Sequence, residues 1–121
     1  MIVLAALLAV AADPISGTWE GTSLCQVKPS PCRDEHVIYR INSKKQRQYR
    51  IDGYKLVSGH QQFMGTIDVM LDAAGTHLDG AVMSGGQSRG RLQLSLNGHH
   101  MSGRMTEPDG TLYRLIEVDK R

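Results

Sequence analysis

The chain is short of aromatic residues, of net charge and of catalytic motifs, and each shortage excludes a class of function. Aromatic residues make up 5% of the 121 residues, and Trp19 is the only tryptophan. This argues against a pocket walled by several indole rings. A formal net charge of +2 is too small to indicate a nucleic-acid-binding protein. Since no hydrolase, phosphate-loop or zinc-protease motif is present, we expect no enzyme activity, no cofactor and no metal site.

Long apolar runs are missing after residue 12, whereas residues 1–12 carry no charge. The run is shorter than the roughly 20 residues of a membrane-spanning helix, and it suits the apolar part of a signal peptide. Ala9-Val10-Ala11 supplies small residues before a cleavage point, although no Lys or Arg precedes the run. We therefore expect a signal peptide at 1–12, one domain at 13–121 without a transmembrane segment, and a secreted or periplasmic protein. An apolar first strand is the alternative.

Cysteine occurs twice, as Cys25 and Cys32. In an exported protein, an even and closely spaced pair indicates a disulfide. The alternative is a metal site that also uses His36, but the spacing is wider than zinc favours and a fourth ligand is not evident.

Sustained helical periodicity is also absent after residue 12, and alternation of apolar and polar residues recurs instead between glycine-rich turns. Asn97-Gly98 predicts a two-residue hairpin loop, and Pro108-Asp109-Gly110 predicts a tight turn. Asp52-Gly53 fits either a hairpin turn or a bulge inside one long strand. The clearest apolar stripe consists of Phe63, Gly65, Ile67, Val69 and Leu71.

These runs give about eight strands in one meander without a crossover helix. Closing such a sheet removes its exposed edges, so the sequence predicts an all-β, antiparallel up-and-down, closed barrel. An eight-stranded interior is either filled by side chains or holds one small ligand. Glycines within the strands permit the close approach and coiling that a small barrel requires. They are Gly17, Gly21, Gly65, Gly80, Gly90 and Gly103.

The opening strand, Ser16-Gly17-Thr18-Trp19, resembles the Gly-x-Trp start of lipocalin-like barrels, the calycin group. That resemblance implies a tryptophan packed at a closed barrel end against an arginine from a late strand. Arg114 has the strand phase required to point inward and to fill this role. Lipocalins proper are longer and carry a helix, and avidins have several pocket tryptophans. Small periplasmic barrels that inhibit proteases or lysozyme are similar too.

The favoured function is binding of a small apolar ligand inside the barrel. Four side chains fall on stripes expected to face inward and to contact the ligand: Phe63, Ile67, Leu94 and Met105. The alternative is a barrel that binds a secreted protein, such as a hydrolase, through loops at 25–34 or 43–48. A third interpretation is a barrel whose interior is full. The sequence does not determine the oligomeric state.

Two further patterns favour ordinary surface structure over function. The basic residues between Arg40 and Arg50 suit a solvated face, although they could also meet an anionic partner. His99-His100-Met101 suggests copper, but adjacent strand residues point to opposite faces, which favours a polar hairpin beside a core methionine.

Overall fold

The computed structural model describes residues 13–27 and 29–121, so the predicted signal peptide lies outside the described residues. All regular structure in this part of the chain is β-strand, and it contains no helix able to span a membrane. The strands are β1 (Gly17–Cys25), β2 (Glu35–Lys45), β3 (Gln48–Val57), β4 (His60–Leu71), β5 (His77–Ser84), β6 (Gln87–Asn97), β7 (His100–Thr106) and β8 (Leu112–Lys120).

Each strand pairs antiparallel with the next, and β8 pairs with β1, so the sheet closes into an up-and-down barrel. The predicted fold class is therefore confirmed. The connections β1–β2, β3–β4, β5–β6 and β7–β8 lie at one end of this barrel, which we call the open end. The other three connections and the residues before β1 lie at the opposite, closed end.

Two turns fall where the sequence predicted them. The β6–β7 hairpin is confirmed with a small correction, because Asn97 pairs with His100 and the loop residues are Gly98 and His99. Only Gly98 of these two has a positive φ, so the turn needs glycine at its first position. The predicted turn at Pro108 and Asp109 also forms.

Two inward glycines allow neighbouring strands to approach closely. A Cβ added at Gly21 would overlap the carbonyl oxygen of Glu117 on β8. A Cβ added at Gly103 would overlap the carbonyl oxygen of Gln93 on β6. The role predicted for these in-strand glycines is thus confirmed at both positions, because no other residue lacks the Cβ that would collide.

Three strands carry one extra residue near the open end. The ladders step over Met64 in β4, Arg89 in β6 and Tyr113 in β8. The first bulge lies opposite Gly53, so Asp52-Gly53 is a strand segment facing a bulge and not a turn. Each bulge reverses the inward and outward phase of the strand beyond it and bends that strand.

A cavity at the open end of the barrel

The closed end is filled around Trp19, which is 0% exposed. Its indole Nε1 donates a hydrogen bond of 2.8 Å to the carbonyl oxygen of Ile15. Asp13 accepts hydrogen bonds from the Ile15 amide at 2.9 Å and from the Tyr49 hydroxyl at 3.1 Å. These bonds hold the residues before β1 across this end of the barrel, where they cover the indole ring.

The predicted contact between Arg114 and Trp19 does not form. In the ladder between β1 and β8, Trp19 pairs with Lys120, whereas Arg114 pairs with Cys25 near the open end. The cation above the indole is the Lys120 amine, 5.8 Å from the ring centroid. Arg114 and Lys120 share the same strand phase, so alternation could not tell which of them reaches the tryptophan.

The open end contains a cavity of about 380 Å³ inside the barrel. Two of the predicted ligand-contacting residues, Ile67 and Met105, lie in its wall. Further apolar side chains from other strands complete the wall. They are Ile51, Met64, Val82 and Leu92.

Phe63 and Leu94 do not line this cavity. Phe63 is 57% exposed on the outer surface, where its ring centroid lies 5.4 Å from that of Tyr54. The extra residue Met64 reverses the phase of β4 and takes the inward place expected for Phe63. Leu94 does face inward, but it is 1% exposed within the packed core and so offers no surface to a ligand.

Arg114 is a charged residue in the cavity wall and is 8% exposed. Its Nη1 donates hydrogen bonds to the carbonyl oxygens of Ser23 at 3.1 Å and Arg33 at 2.9 Å. The same nitrogen lies 3.2 Å from Oε1 of Glu35, and Oε2 of Glu35 lies 3.6 Å from Nζ of Lys55. We call Arg114, Glu35, Lys55 and the adjacent Tyr39 the mouth cluster.

Tyr39 lines the same cavity and is 6% exposed. Burial raises the pKa of its hydroxyl, and the Glu35 carboxylate raises this pKa further against the opposing charge of Arg114. The hydroxyl therefore keeps its proton at neutral pH and remains a hydrogen-bond donor. Within the described part of the chain, no side-chain hydrogen bond engages it.

The disulfide is confirmed, with the Cα atoms of Cys25 and Cys32 5.8 Å apart. Because both sulfur atoms are bonded to each other, the alternative metal site is wrong. The Asp34 carboxylate accepts a hydrogen bond of 2.8 Å from the Cys25 amide, and Arg114 binds the Arg33 carbonyl. The loop between β1 and β2 is thereby fastened to the wall of the cavity.

The polar hairpin between β6 and β7 places His100 beside two carboxylates of β8 at the closed end. His100 contacts Asp119 at 2.7 Å through Nδ1 and Glu117 through Nε2. Asp119 and then Glu117 raise the pKa of His100 through these hydrogen bonds. Across residues 13–27 and 29–121, no group of three or more His, Cys, Asp or Glu is arranged to hold a metal ion. Met101 lies in the core, 0% exposed.

The basic segment forms ordinary surface pairs. Arg50 lies 3.1 Å and Lys44 3.7 Å from the Asp68 carboxylate. Arg40 donates to the Gln61 side chain at 3.0 Å. The Asp68 carboxylate offsets part of the positive charge of this segment, whereas Gln61 is neutral and offsets none.

The site residues predicted from the sequence include neither Glu35 nor Tyr39. The signal was available, because both share the phase of Val37 and Ile41, which are buried core residues. A charged residue in phase with a core stripe indicates a buried polar site. Protein-family models give no match to this chain, and neither do curated proteins.

Proposed function

We propose that this protein is an exported binding module that holds a small apolar or amphipathic molecule in the open end of its barrel. The cavity of about 380 Å³ carries this proposal. Ligand pockets begin near 300 Å³ and combine apolar walls with a few polar groups that fix orientation. The wall provided by Ile67, Leu92 and Met105, with Arg114 and Tyr39 beside it, has this composition.

The contrast with the closed end supports the proposal further. A barrel that served only as a rigid body would gain stability by filling both ends, because unfilled volume forfeits packing contacts. Here Trp19 and Ile15 fill one end, while the other keeps a space open toward the loops. The cost of maintaining that space favours a role for it.

Export and membership of the lipocalin-like group are parts of the same proposal. The Cys25–Cys32 disulfide suits an oxidising compartment, which agrees with a signal peptide at residues 1–12. The closed eight-stranded barrel and the buried Trp19 agree with a calycin-type architecture. The polar groups of the cavity are paired or protonated, which suits binding more than catalysis.

An environment-sensitive apolar dye tests the proposal. Folded wild-type protein should bind it saturably, near one molecule per chain. Met105→Trp should abolish binding by filling the cavity, at a cost of about 1–3 kcal/mol in stability from overpacking. Leu115→Trp is the matched control, because Leu115 is on the outer face and 41% exposed. Circular dichroism checks that each variant keeps its sheet.

Two results would contradict the proposal. The first is a wild type that binds no apolar probe saturably. The second is unchanged binding by a folded Met105→Trp variant, which would place the dye outside the cavity.

A second candidate, docking of a secreted protein partner, is favoured by the apolar rim of the open end. Phe63 is 57% and Met83 53% exposed, and Val57 and Met64 are also exposed there. Exposed apolar patches on a small protein mark interaction surfaces. This candidate predicts that Phe63→Ser and Val57→Ser weaken retention of a defined secreted hydrolase in a binding assay. Because neither residue lines the cavity, dye binding should be unchanged.

A further inference from the structure

The mouth cluster holds more positive than negative charge. Arg114 and Lys55 carry two positive charges, and both are paired with the single carboxylate of Glu35. Arg114 is 8% exposed, and Glu35 is the only acidic side chain in the cavity wall among the described residues. Glu35 therefore does not neutralise both cations. Because Lys55 lies outside the cavity wall and is partly exposed to solvent, an anion inside the cavity would meet Arg114.

Arg114 and Tyr39, which line the cavity, carry hydrogen-bond donors that no acceptor in the described part of the chain engages. All the hydrogen bonds of Arg114 within the described part of the chain use Nη1. Its Nε and Nη2 therefore keep three N–H groups for another acceptor, since a guanidinium has five N–H donors. The Tyr39 hydroxyl, protonated and lacking a side-chain partner there, adds one more donor to the same cavity.

Glu35 and the backbone carbonyls have a positioning role in this arrangement. They hold the Nη1 edge of Arg114 at the wall between β1 and the disulfide loop. A guanidinium fixed on one edge loses little side-chain freedom when its other edge binds a planar, two-oxygen acceptor. A carboxylate has that shape and forms short, charge-assisted hydrogen bonds with arginine.

We infer that the ligand is an anionic amphiphile whose single carboxylate binds Arg114 and the Tyr39 hydroxyl, with its apolar chain along the cavity wall. This inference rests on the proposed function, because it names the chemical class held by the same cavity. One negative charge balances the mouth cluster. The apolar side chains of Ile67, Val82 and Leu92 line the space available to the chain.

Competition with the bound dye tests this inference. Decanoate and its methyl ester share a carbon chain and differ in charge, so the pair isolates the head group. Wild type should prefer decanoate to the ester by at least about tenfold, because a hydrogen bond to a charged group exceeds a neutral one. Tyr39→Phe should reduce decanoate affinity about tenfold and leave ester affinity unchanged.

Arg114→Gln should remove the preference for decanoate altogether. Because Arg114 also binds backbone carbonyls, this variant risks misfolding, and Tyr39→Phe tests the site without touching those bonds. Arg104→Gln is the matched charge control, since Arg104 is an exposed residue of β7. It should keep the wild-type preference.

The outcomes separate this inference from the proposed function. Equal affinity of wild type for decanoate and ester would overturn the carboxylate site while the binding module stands. A preference for decanoate that survives in folded Tyr39→Phe and Arg114→Gln would overturn the assignment to these two residues. If the dye binds but neither compound displaces it, the inference of an anionic amphiphile fails while the binding module stands. If no dye binds, the proposed function itself fails.

Discussion

The two ends of this barrel are built from the same eight strands but use their interior differently. At the closed end, Ile15 and Trp19 are 0% exposed, and the interior is packed. At the open end, the interior keeps a cavity of about 380 Å³ and accepts a charged side chain, Arg114. Strand number alone therefore does not decide whether a small barrel is full.

Departures from regular pairing are more frequent near the open end. The bulges at Met64, Arg89 and Tyr113 occur there, whereas the ladder between β2 and β3 has one irregularity near the closed end, at Lys44. Bulges bend strands and increase local twist. At the closed end, the segment from Asp13 folds over the indole. The open end thus has more bent strands, and the closed end is covered.

The largest effect should come from replacing one large side chain at each end with alanine. Trp19→Ala should lower the free energy of unfolding by about 3–5 kcal/mol, because it leaves a cavity in a packed region. Phe63→Ala should cost no more than about 1 kcal/mol, because the Phe63 ring is 57% exposed. Urea unfolding of both variants measures the difference. Similar losses would show that the Phe63 ring is packed and not exposed.

Removal of the disulfide should have an intermediate effect that is confined to the open end. Cys25→Ala combined with Cys32→Ala should cost about 2–3 kcal/mol, since the closed loop is short. The variant should also bind the apolar dye more weakly, because the loop holds the Arg33 carbonyl against Arg114.

The emission maximum of Trp19 serves as the internal control in that experiment. Trp19 is the only tryptophan and lies at the closed end, so its emission should stay blue-shifted in the folded variant. A red shift would mean that the disulfide supports the whole barrel and not the open end alone.

The smallest effect should be a pH dependence at the closed end. Asp119 and then Glu117 raise the pKa of His100 above its ordinary value of 6.5. A pKa raised by folding means that the stabilisation is fully present below about pH 6.5 and is lost as the pH rises through the folded-state value. The effect is small because the pair is exposed and screened by solvent.

Unfolding free energies at mildly acidic and mildly alkaline pH, compared between wild type and His100→Gln, measure this contribution. The wild type should lose its small advantage over the variant at alkaline pH. Parallel pH profiles would show that the His100 contacts with Asp119 and Glu117 contribute nothing to stability.

Much of the fold was predictable because strand alternation and glycine turns are local signals. The stripe of Ile67, Val69 and Leu71 was correctly placed inside the barrel. Phe63 was not, because a single extra residue on β4 reversed the phase. A bulge depends on the partner strand, and the sequence of one strand does not show it.

The site was only partly predictable for the same reason. Ile67 and Met105 lie in the cavity wall as expected, whereas Leu94 lies in the packed core. Alternation assigns each residue to the inner or outer face but carries no information about its height along the barrel. That height decides whether an inward side chain meets other side chains or open space.

The sequence by itself determined the all-β fold, the number of strands and the pairing of Cys25 with Cys32, because these follow from alternation, turn residues and cysteine spacing. Tertiary structure alone decided that Lys120, and not Arg114, supplies the cation over the Trp19 ring. It also decided that Arg114 joins Glu35 and Tyr39 at the open end. The physical reason is register: side chains from β2 and β8 meet only after the sheet closes, and their height in the barrel depends on the pairing of every strand between them.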